Sequence, residues 1–363
     1  MTPGSSALWR ALDLLRCPLC GDPVEPVWSG PASTQTRTQD SAQDSAQAST
    51  EPDHPPAEGR SGTGEQPAEI SGVRCRSGHS FDRARQGHLT LFGPRGRRFA
   101  GDSTDQVLAR EKVLASGVLD PVADLLGVCV REALSRGEDT NSDNHDPTRA
   151  GTGPVVLEAG AGTGFYLASV LHTIGTDRGT DRGTDRGTED PAPPLGIGTE
   201  ISVAAARRLA RADTDIAAIV ADTWDQLPFA DDSVDVVQVV FAPRNAAEFA
   251  RVLAPGGSLV VAGPGPGHLE PLRTDAGMLT PDADRPDRLE AALADHFIPG
   301  SVRVVDTIVR VPGQIAVDLA LMGPSGVHLE RAEVEKRLGD ADRDVRVHVE
   351  LRTFHSRDDA RDG

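Results

Sequence analysis

The chain has 363 residues and a formal net charge of −18, and only 4% of its residues are aromatic. An acidic total with so few rings ordinarily excludes a nucleic-acid partner, and no run of eighteen apolar residues is present to span a membrane. The expectation is a soluble, cytoplasmic protein with no membrane partner, in which the distribution of charge matters more than its sum.

The first element with chemistry in it is Cys17-Pro18-Leu19-Cys20, answered far downstream by Cys75 and His79. A C-x2-C turn aims two sulfurs at one point, and C-x3-H adds a thiolate and an imidazole. Cys17, Cys20, Cys75 and His79 therefore read as one tetrahedral zinc set. The 54 residues between Cys20 and Cys75 far exceed an ordinary knuckle spacing. Lengthening such a loop from about 12 to about 54 residues costs only about 1.3 kcal/mol, against roughly 10–16 kcal/mol from a structural zinc. A disulfide is the competing use of these thiols. It is disfavoured because no signal peptide is found and Cys129, read as a buried thiol, has no partner left.

Most of that separation, 29–72, is Ser, Thr, Gln, Pro, Gly and acid, and reads as a disordered insertion in a zinc-binding, RNA-recognising module at 1–100. The exit of the module is basic: from Val73 to Arg110 eight arginines stand against three aspartates, a local charge of +5. Arg83, Arg85, Arg95, Arg97 and Arg98, with Phe81, Phe92 and Phe99 among them, suit RNA phosphates and stacked loop bases. The plain alternative is a solvated, arginine-rich linker. Two more spacers, 136–153 and 175–194, are expected to loop out of a second domain at 101–363. The Gly-Thr-Asp-Arg repeat of the latter has no apolar face to stack.

Val155 to Gly164 reads as a buried strand running into a glycine-rich turn, with the pattern E-x-G-x-G-x-G. Glycines at alternate positions let the backbone turn tightly and approach a ligand. The spacing is not the G-x-G-x-x-G of pyrophosphate binding, so Glu158, Gly160, Gly162, Thr163 and Gly164 point to S-adenosylmethionine rather than NAD. Leu195 to Glu200 is a second strand ending in a carboxylate placed to accept from ribose hydroxyls. A third, Ile216 to Val220, leads to Asp222, placed to accept from an adenine amino group, with Trp224 able to cover the ring. The alternative makes these acids N-caps of the helices that follow.

Ser233 to Phe241 is Val-rich, as a central strand buried on both faces should be. Ala242-Pro243-Arg244-Asn245 follows at its C-terminal edge, where ligands bind in open α/β sheets. A helix from Ala246 to Leu253, the stop Pro255-Gly256-Gly257 and a strand from Ser258 to Ala262 resemble the fifth strand unit of class I methyltransferases.

Together these motifs resemble the bacterial 23S rRNA guanine-N1 methyltransferases, a family with macrolide-resistance relatives. The likeness runs through Cys17-Pro-Leu-Cys20, Cys75, His79-Ser-Phe-Asp82, Ala84 to Leu89, Gly101-Asp102 with Ala109-Arg110, and the Glu158–Gly164 loop. It continues through Phe241 to Asn245, Arg251 to Gly257, His268-Leu-Glu-Pro-Leu272 and Met322-Gly-Pro324. The resemblance implies an α/β fold: a Rossmann-like class I domain with a mostly parallel, seven-stranded sheet, preceded by a small zinc-binding module that holds an RNA hairpin. It also implies cofactor contacts from His268 and from the segment around Leu119, where a tyrosine is expected and a leucine can offer only apolar or backbone contact. The partners implied are a 23S rRNA hairpin and, as an open option, a second copy of the chain.

Guanine N1 carries a proton that must leave before or during methyl transfer. The sequence assigns no base among Asp222, Glu248 and His268, so the catalytic residue is unknown. Phe165, Tyr166, Trp224 and Phe241 are candidates to stack on an extruded base, or else core. The rival readings are a small-molecule methyltransferase with a structural zinc lid and a non-catalytic zinc RNA-binding adaptor.

Overall fold

Alternating apolar residues dictate the centre of the molecule. In the computed structural model, which describes residues 6–29, 69–97, 99–140, 153–180, 192–279 and 285–357, the strand Val155–Ala159 sends Val156 to one core and Val155, Leu157 and Ala159 to the other. The bulk of the insertion, 30–68, Arg98 and the middles of the two other spacers, 141–152 and 181–191, lie outside the described residues.

In chain order, helix α1 (Ala7–Ala11) leads to strands β1 (Val24–Trp28), β2 (Ile70–Cys75), β3 (Ser80–Asp82) and β4 (Leu89–Thr90), then to helices α2 (Thr104–Ala115) and α3 (Asp120–Thr140). The alternating section follows: β5 (Val155–Ala159), α4 (Phe165–Thr180), β6 (Leu195–Glu200), α5 (Val203–Ala212), β7 (Ile216–Val220), β8 (Val234–Val240), α6 (Ala246–Val252) and β9 (Leu253–Pro264). The chain closes with α7 (Leu272–Ala276), α8 (Arg285–Leu293), β10 (Phe297–Val311), α9 (Gly313–Leu321), α10 (Arg331–Leu338) and β11 (Arg343–Ser356).

β1, β2 and β3 form a small antiparallel sheet. The main sheet has the order β10-β11-β9-β8-β5-β6-β7-β4, parallel from β9 to β4, with β11 antiparallel to both neighbours. The chain winds outward from β5 through β6 and β7, then returns to β8 on the other side. The reversal puts a crevice at the C-terminal ends of β5 and β8, where such sheets bind ligands.

Two features depart from the expected plan. The sheet has an eighth strand, the two-residue β4, which pairs with β7 through Leu89 and Thr90. In addition, Leu8, Leu15, Cys17, Val73, Cys75 and Leu89 belong to the same hydrophobic core as Leu157, Ile219, Phe229 and Phe249. Arg16 N–H donates to the Pro228 carbonyl at 2.9 Å and Ala230 N–H to Leu14 at 2.8 Å. A boundary near residue 100 therefore separates no two cores. The spacer edges also move, because β2 takes in Ile70 to Gly72 and α3 and α4 run on to Thr140 and Thr180.

Ser29 and Glu69 flank the long insertion and are hydrogen-bonded to each other, Ser29 N–H to the Glu69 carbonyl at 2.9 Å. Glu69 N–H in turn reaches the Ser29 hydroxyl at 3.3 Å, so the two residues face each other across a gap that a short hairpin turn can join. Replacing residues 30–68 with Asn-Gly should leave a single melting transition at an equal or higher Tm, because closing the shorter loop costs about 2–3 kcal/mol less. A fall in Tm on thermal melting would show that the replaced segment contributes to the fold.

Candidate functional site

Two tight turns build the Cys3His cluster. Gly21 N–H bonds back to Cys17 at 2.8 Å and Gly78 N–H to Cys75 at 3.0 Å, and both glycines have positive φ, +77° and +87°, which a side chain rarely adopts. The turns bring Cys17, Cys20, Cys75 and His79 together, with all four ligand atoms within 4.8 Å of one another. Cys20 Sγ lies 3.6 Å from Cys75 Sγ, and His79 Nδ1 lies 3.5 Å from Cys17 Sγ and 3.4 Å from Cys75 Sγ. A tetrahedron with metal–sulfur bonds of about 2.3 Å and metal–nitrogen bonds of about 2.0–2.1 Å has S–S edges of about 3.8 Å and S–N edges of about 3.6 Å. The cluster matches those edges, and it is far too open for a disulfide. Burial pushes the Cys17 thiol up to about 11, so a thiolate there is favoured only beside a cation. Asp22 accepts from Ser77 Oγ at 2.8 Å and from Cys20 at 3.4 Å, which steadies both turns.

The second cluster sits at the crevice. Gly160, Gly162 and Gly164 all take positive φ, at +75°, +56° and +85°, as the turn from β5 into α4 requires. Glu200, at the end of β6, accepts from Gly162 N–H at 2.9 Å and from Ser202 N–H at 2.7 Å. It is not the N-cap of α5, because Ser202 is. Burial, then the Asp102 charge, raise its pKa, while the two N–H donors and Arg110 oppose them. Asp222 is buried beyond β7 and accepts from Trp224 N–H at 2.9 Å. Asn245 ties the turn after β8 to this one through the Thr223 and Asp225 carbonyls, at 3.0 and 3.3 Å. Thr163 lies in the glycine turn, half-buried.

Glu158 lies deeper than a residue at the mouth of the turn. It is 1% exposed, and no described residue hydrogen-bonds its Oε2. Its register partner on β8 is Gln238, fully buried, which leans toward stabilising the ionised form without a hydrogen bond of good geometry. Burial dominates and pushes the Glu158 carboxyl up to about 8. The hydroxyl of Tyr166, buried nearby, has no hydrogen-bond partner among the described residues, and burial raises its pKa too. Sequence reasoning missed Gln238, although an amide inside a Val-rich central strand is itself a signal.

His268 closes the crevice from the loop after β9. Its Nδ1 accepts from the His348 backbone N–H at 3.2 Å, and its ring stacks on Phe241 with centroids 5.9 Å apart. Phe241 meets Tyr166 at 6.5 Å, and Tyr166 meets Phe165 at 5.2 Å, so four rings line up from the glycine turn to His268. Phe241 and Leu269 hold positive φ, +52° and +62°, a strained backbone of the kind that gathers at functional sites. Leu119 is buried in the core and its carbonyl accepts from Val122 and Ala123 as α3 begins, so that oxygen is already engaged.

No protein-family model matches the chain. It is 34% identical over 268 residues to the 23S rRNA (guanine(748)-N(1))-methyltransferase of Streptomyces fradiae, covering 74% of this chain and 84% of that protein. It is also 34% identical over 280 residues, 77% of this chain and 88% of the other, to a Micromonospora griseorubida protein provisionally assigned as a 23S rRNA (guanine-N(1)-)-methyltransferase. The chain belongs to this 23S rRNA guanine-N1 methyltransferase family. Among solved structures, it is similar to a SAM-dependent methyltransferase from Thiobacillus denitrificans in complex with S-adenosyl-L-homocysteine (15% identity, 61% of this chain and 97% of that chain, TM-score 0.33). As a family member the chain is a SAM-dependent methyltransferase, and its glycine turn, Glu200 and Asp222 lie at the ends of β5, β6 and β7.

The arginines of this methyltransferase differ in their use. Arg83 donates to the Gly87 carbonyl at 3.1 Å and the Ile70 carbonyl at 3.4 Å, so it holds the fold of its own loop. Arg85 is exposed, and Arg95, 68% exposed, meets Asp225 at 3.2 Å. Arg97 is exposed and braces the turn through the Phe99 and Ala100 carbonyls.

The neutral Glu158 carries a signed prediction. Its carboxyl titrates near 4.5 ordinarily and about 8 in the fold, so the stability it contributes is complete below the lower value and is lost as pH rises through the higher one. Glu158→Gln, neutral throughout, should gain in Tm over wild type as the pH is raised from about 5 to about 8. An equal difference at both pH values in ligand-free melts would show that the carboxyl is not held neutral.

Proposed function

We propose that this protein transfers the methyl group of S-adenosylmethionine to N1 of a guanine in a 23S rRNA hairpin, with a zinc ion in its N-terminal knuckle. The observation that carries the reading is the pairing, in one core, of a Cys3His cluster with a crevice where Glu200 and Asp222 follow two strand ends and Glu158 lies buried behind the glycine turn. Bound there, the cofactor supplies an electrophilic sulfonium methyl for in-line displacement. Glu200 would accept from the ribose hydroxyls, and Asp222 from the adenine amino group with Trp224 beside it. The glycine turn and His268 would shape the methionyl end and the reacting face.

Phe241 and Trp224, 41% and 52% exposed, are the rings available to stack on an extruded guanine. Of the groups considered as base, Glu248 is committed to Arg251 at 2.6 Å and to Leu227 N–H at 2.7 Å. His268 uses Nδ1 to accept from His348, so its neutral ring carries the proton on Nε2 and offers a donor. With these groups engaged, the N1 proton would pass to solvent water as the N1–methyl bond forms and the sulfonium S–C bond breaks, and the protein's contribution is positioning.

Zinc would join the two turns that carry its ligands, and these belong to the main core. Wild-type protein should hold about one zinc per chain, as the one four-ligand set among the described residues requires. Cys75→Ser should lose the metal and lower the one melting transition, rather than unfold a separate module. Elemental analysis finding no zinc in the freshly purified wild type would sink the metal assignment.

Exposed Arg85, Arg95 and Arg97 are the cations of this stretch that RNA phosphates would meet. Changing all three to Gln should leave cofactor affinity unchanged and flatten the salt dependence of RNA binding by roughly 2–3 in the slope of log K against log salt. The deciding assay is transfer of labelled methyl to 23S rRNA fragments, with mass mapping of the product to guanine N1. Transfer to free nucleosides or small amines, but not to rRNA, would reject the substrate.

A further inference from the structure

Two sequence motifs are left without a role by the site above: Gly101-Asp102 with Ala109-Arg110, and Met322-Gly-Pro324. The fold joins them. α2 begins with a capping box at Ser103 and Gln106, and Gln106 Nε2 reaches the Gly323 carbonyl at 3.3 Å. One turn later Arg110 Nη2 donates to the Met322 carbonyl at 2.9 Å, while its Nη1 forms an ion pair with Asp102. The same segment is pressed onto the turn after β6: Ser202 Oγ donates to the Asp102 carbonyl at 2.7 Å, and a Cβ on Gly101 would fall 2.9 Å from Ser202 N. Arg110 thereby stands over the cofactor loop, so near that a Cβ on Gly162 would lie 3.4 Å from its Nη1. Its charge acts on both Glu200 and Tyr166, favouring the ionised form of each.

The charge balance of the crevice then has a gap. Glu158, Glu200 and Asp222 are all buried acids, and Glu158 is held neutral. Glu200, which accepts from the glycine loop itself, suits the sulfonium and the ammonium of S-adenosylmethionine and repels its carboxylate. A carboxylate held over that loop needs a cation, best a planar guanidinium that can meet both oxygens.

We infer that Arg110 is the residue that grips the carboxylate of the cofactor's methionyl end, with Met322 and Asp102 orienting its guanidinium over the glycine loop. The inference rests on the reading of that loop as the S-adenosylmethionine site. It makes Arg110 a cofactor-binding residue that selects ligands carrying an amino-acid end.

The test uses the full chain and two ligands that differ only at that end. S-adenosylhomocysteine carries the carboxylate, and 5′-methylthioadenosine lacks the whole amino-acid group. By calorimetry, Arg110→Gln should weaken S-adenosylhomocysteine roughly ten- to a hundredfold, the scale of a hydrogen bond to a charged group. Binding of 5′-methylthioadenosine should stay within about twofold of wild type, inside the error expected when no contact is lost. Parallel weakening of both ligands would make Arg110 a clasp of the fold and overturn the inference, as would unchanged binding of both. Should the Gln variant fail to fold, Arg110→Lys reads the same ratio, since a point charge replaces the fork. Wild-type protein that binds neither ligand would overturn the cofactor reading itself, a result distinguishable from an unchanged ratio in the variant.

Discussion

The Glu200 carboxylate ties the site together. Its two oxygens accept backbone N–H groups from Gly162 and Ser202, so one side chain fixes the glycine turn after β5 against the turn after β6. A buried carboxylate is costly unless hydrogen bonds replace its water. Here the replacement comes from two loops that would otherwise be independent, and their relative position becomes part of the cost of burying the charge. Ser202 extends the arrangement, capping α5 with its hydroxyl while that hydroxyl donates to Asp102. The two turns are thus held by bonds within the protein, and a binding site built in that way avoids the entropy of ordering loops.

The same economy holds at the N-terminus. Cys17 and Cys75 are not on a tethered accessory domain; they lie in the core that includes Phe229 and Phe249. The cluster closes a small sheet whose third strand leads directly, through Arg83 and its carbonyl contacts, to β4 at the edge of the main sheet. Whatever binds the arginine-rich exit is therefore held at a fixed distance from the crevice, a requirement for delivering a methyl group to one atom of a large substrate.

Much of this was legible in the chain itself. Glu200 and Asp222 fall where apolar runs stop, and a strand end is readable from composition. The Cys3His set is readable from chemistry, because few other uses exist for C-x2-C and C-x3-H, and the fold brings its four side chains together. What escaped was of a different kind. β4 is two residues inside a stretch dominated by Arg and Gly, too short to show a period. Arg83 and Arg85 look alike in sequence and part company only because the carbonyls of Gly87 and Ile70 converge on one of them. Glu158 heads the glycine pattern in sequence, yet the side-chain alternation of β5 turns it inward beside Gln238. The helical ends of α3 and α4 ran past the composition boundary, since polar residues at a helix end cost little.

The hydrogen bonds between Ser29 and Glu69 have a consequence for engineering. They make the mouth of the 30–68 segment a port: two points of the chain held side by side, at the end of the β1–β2 pair. A folded guest whose own termini are adjacent, such as a fluorescent reporter, could be spliced there. Its attachment would disturb neither the metal turns nor the sheet, and the signal would then report on the position of the module that carries it.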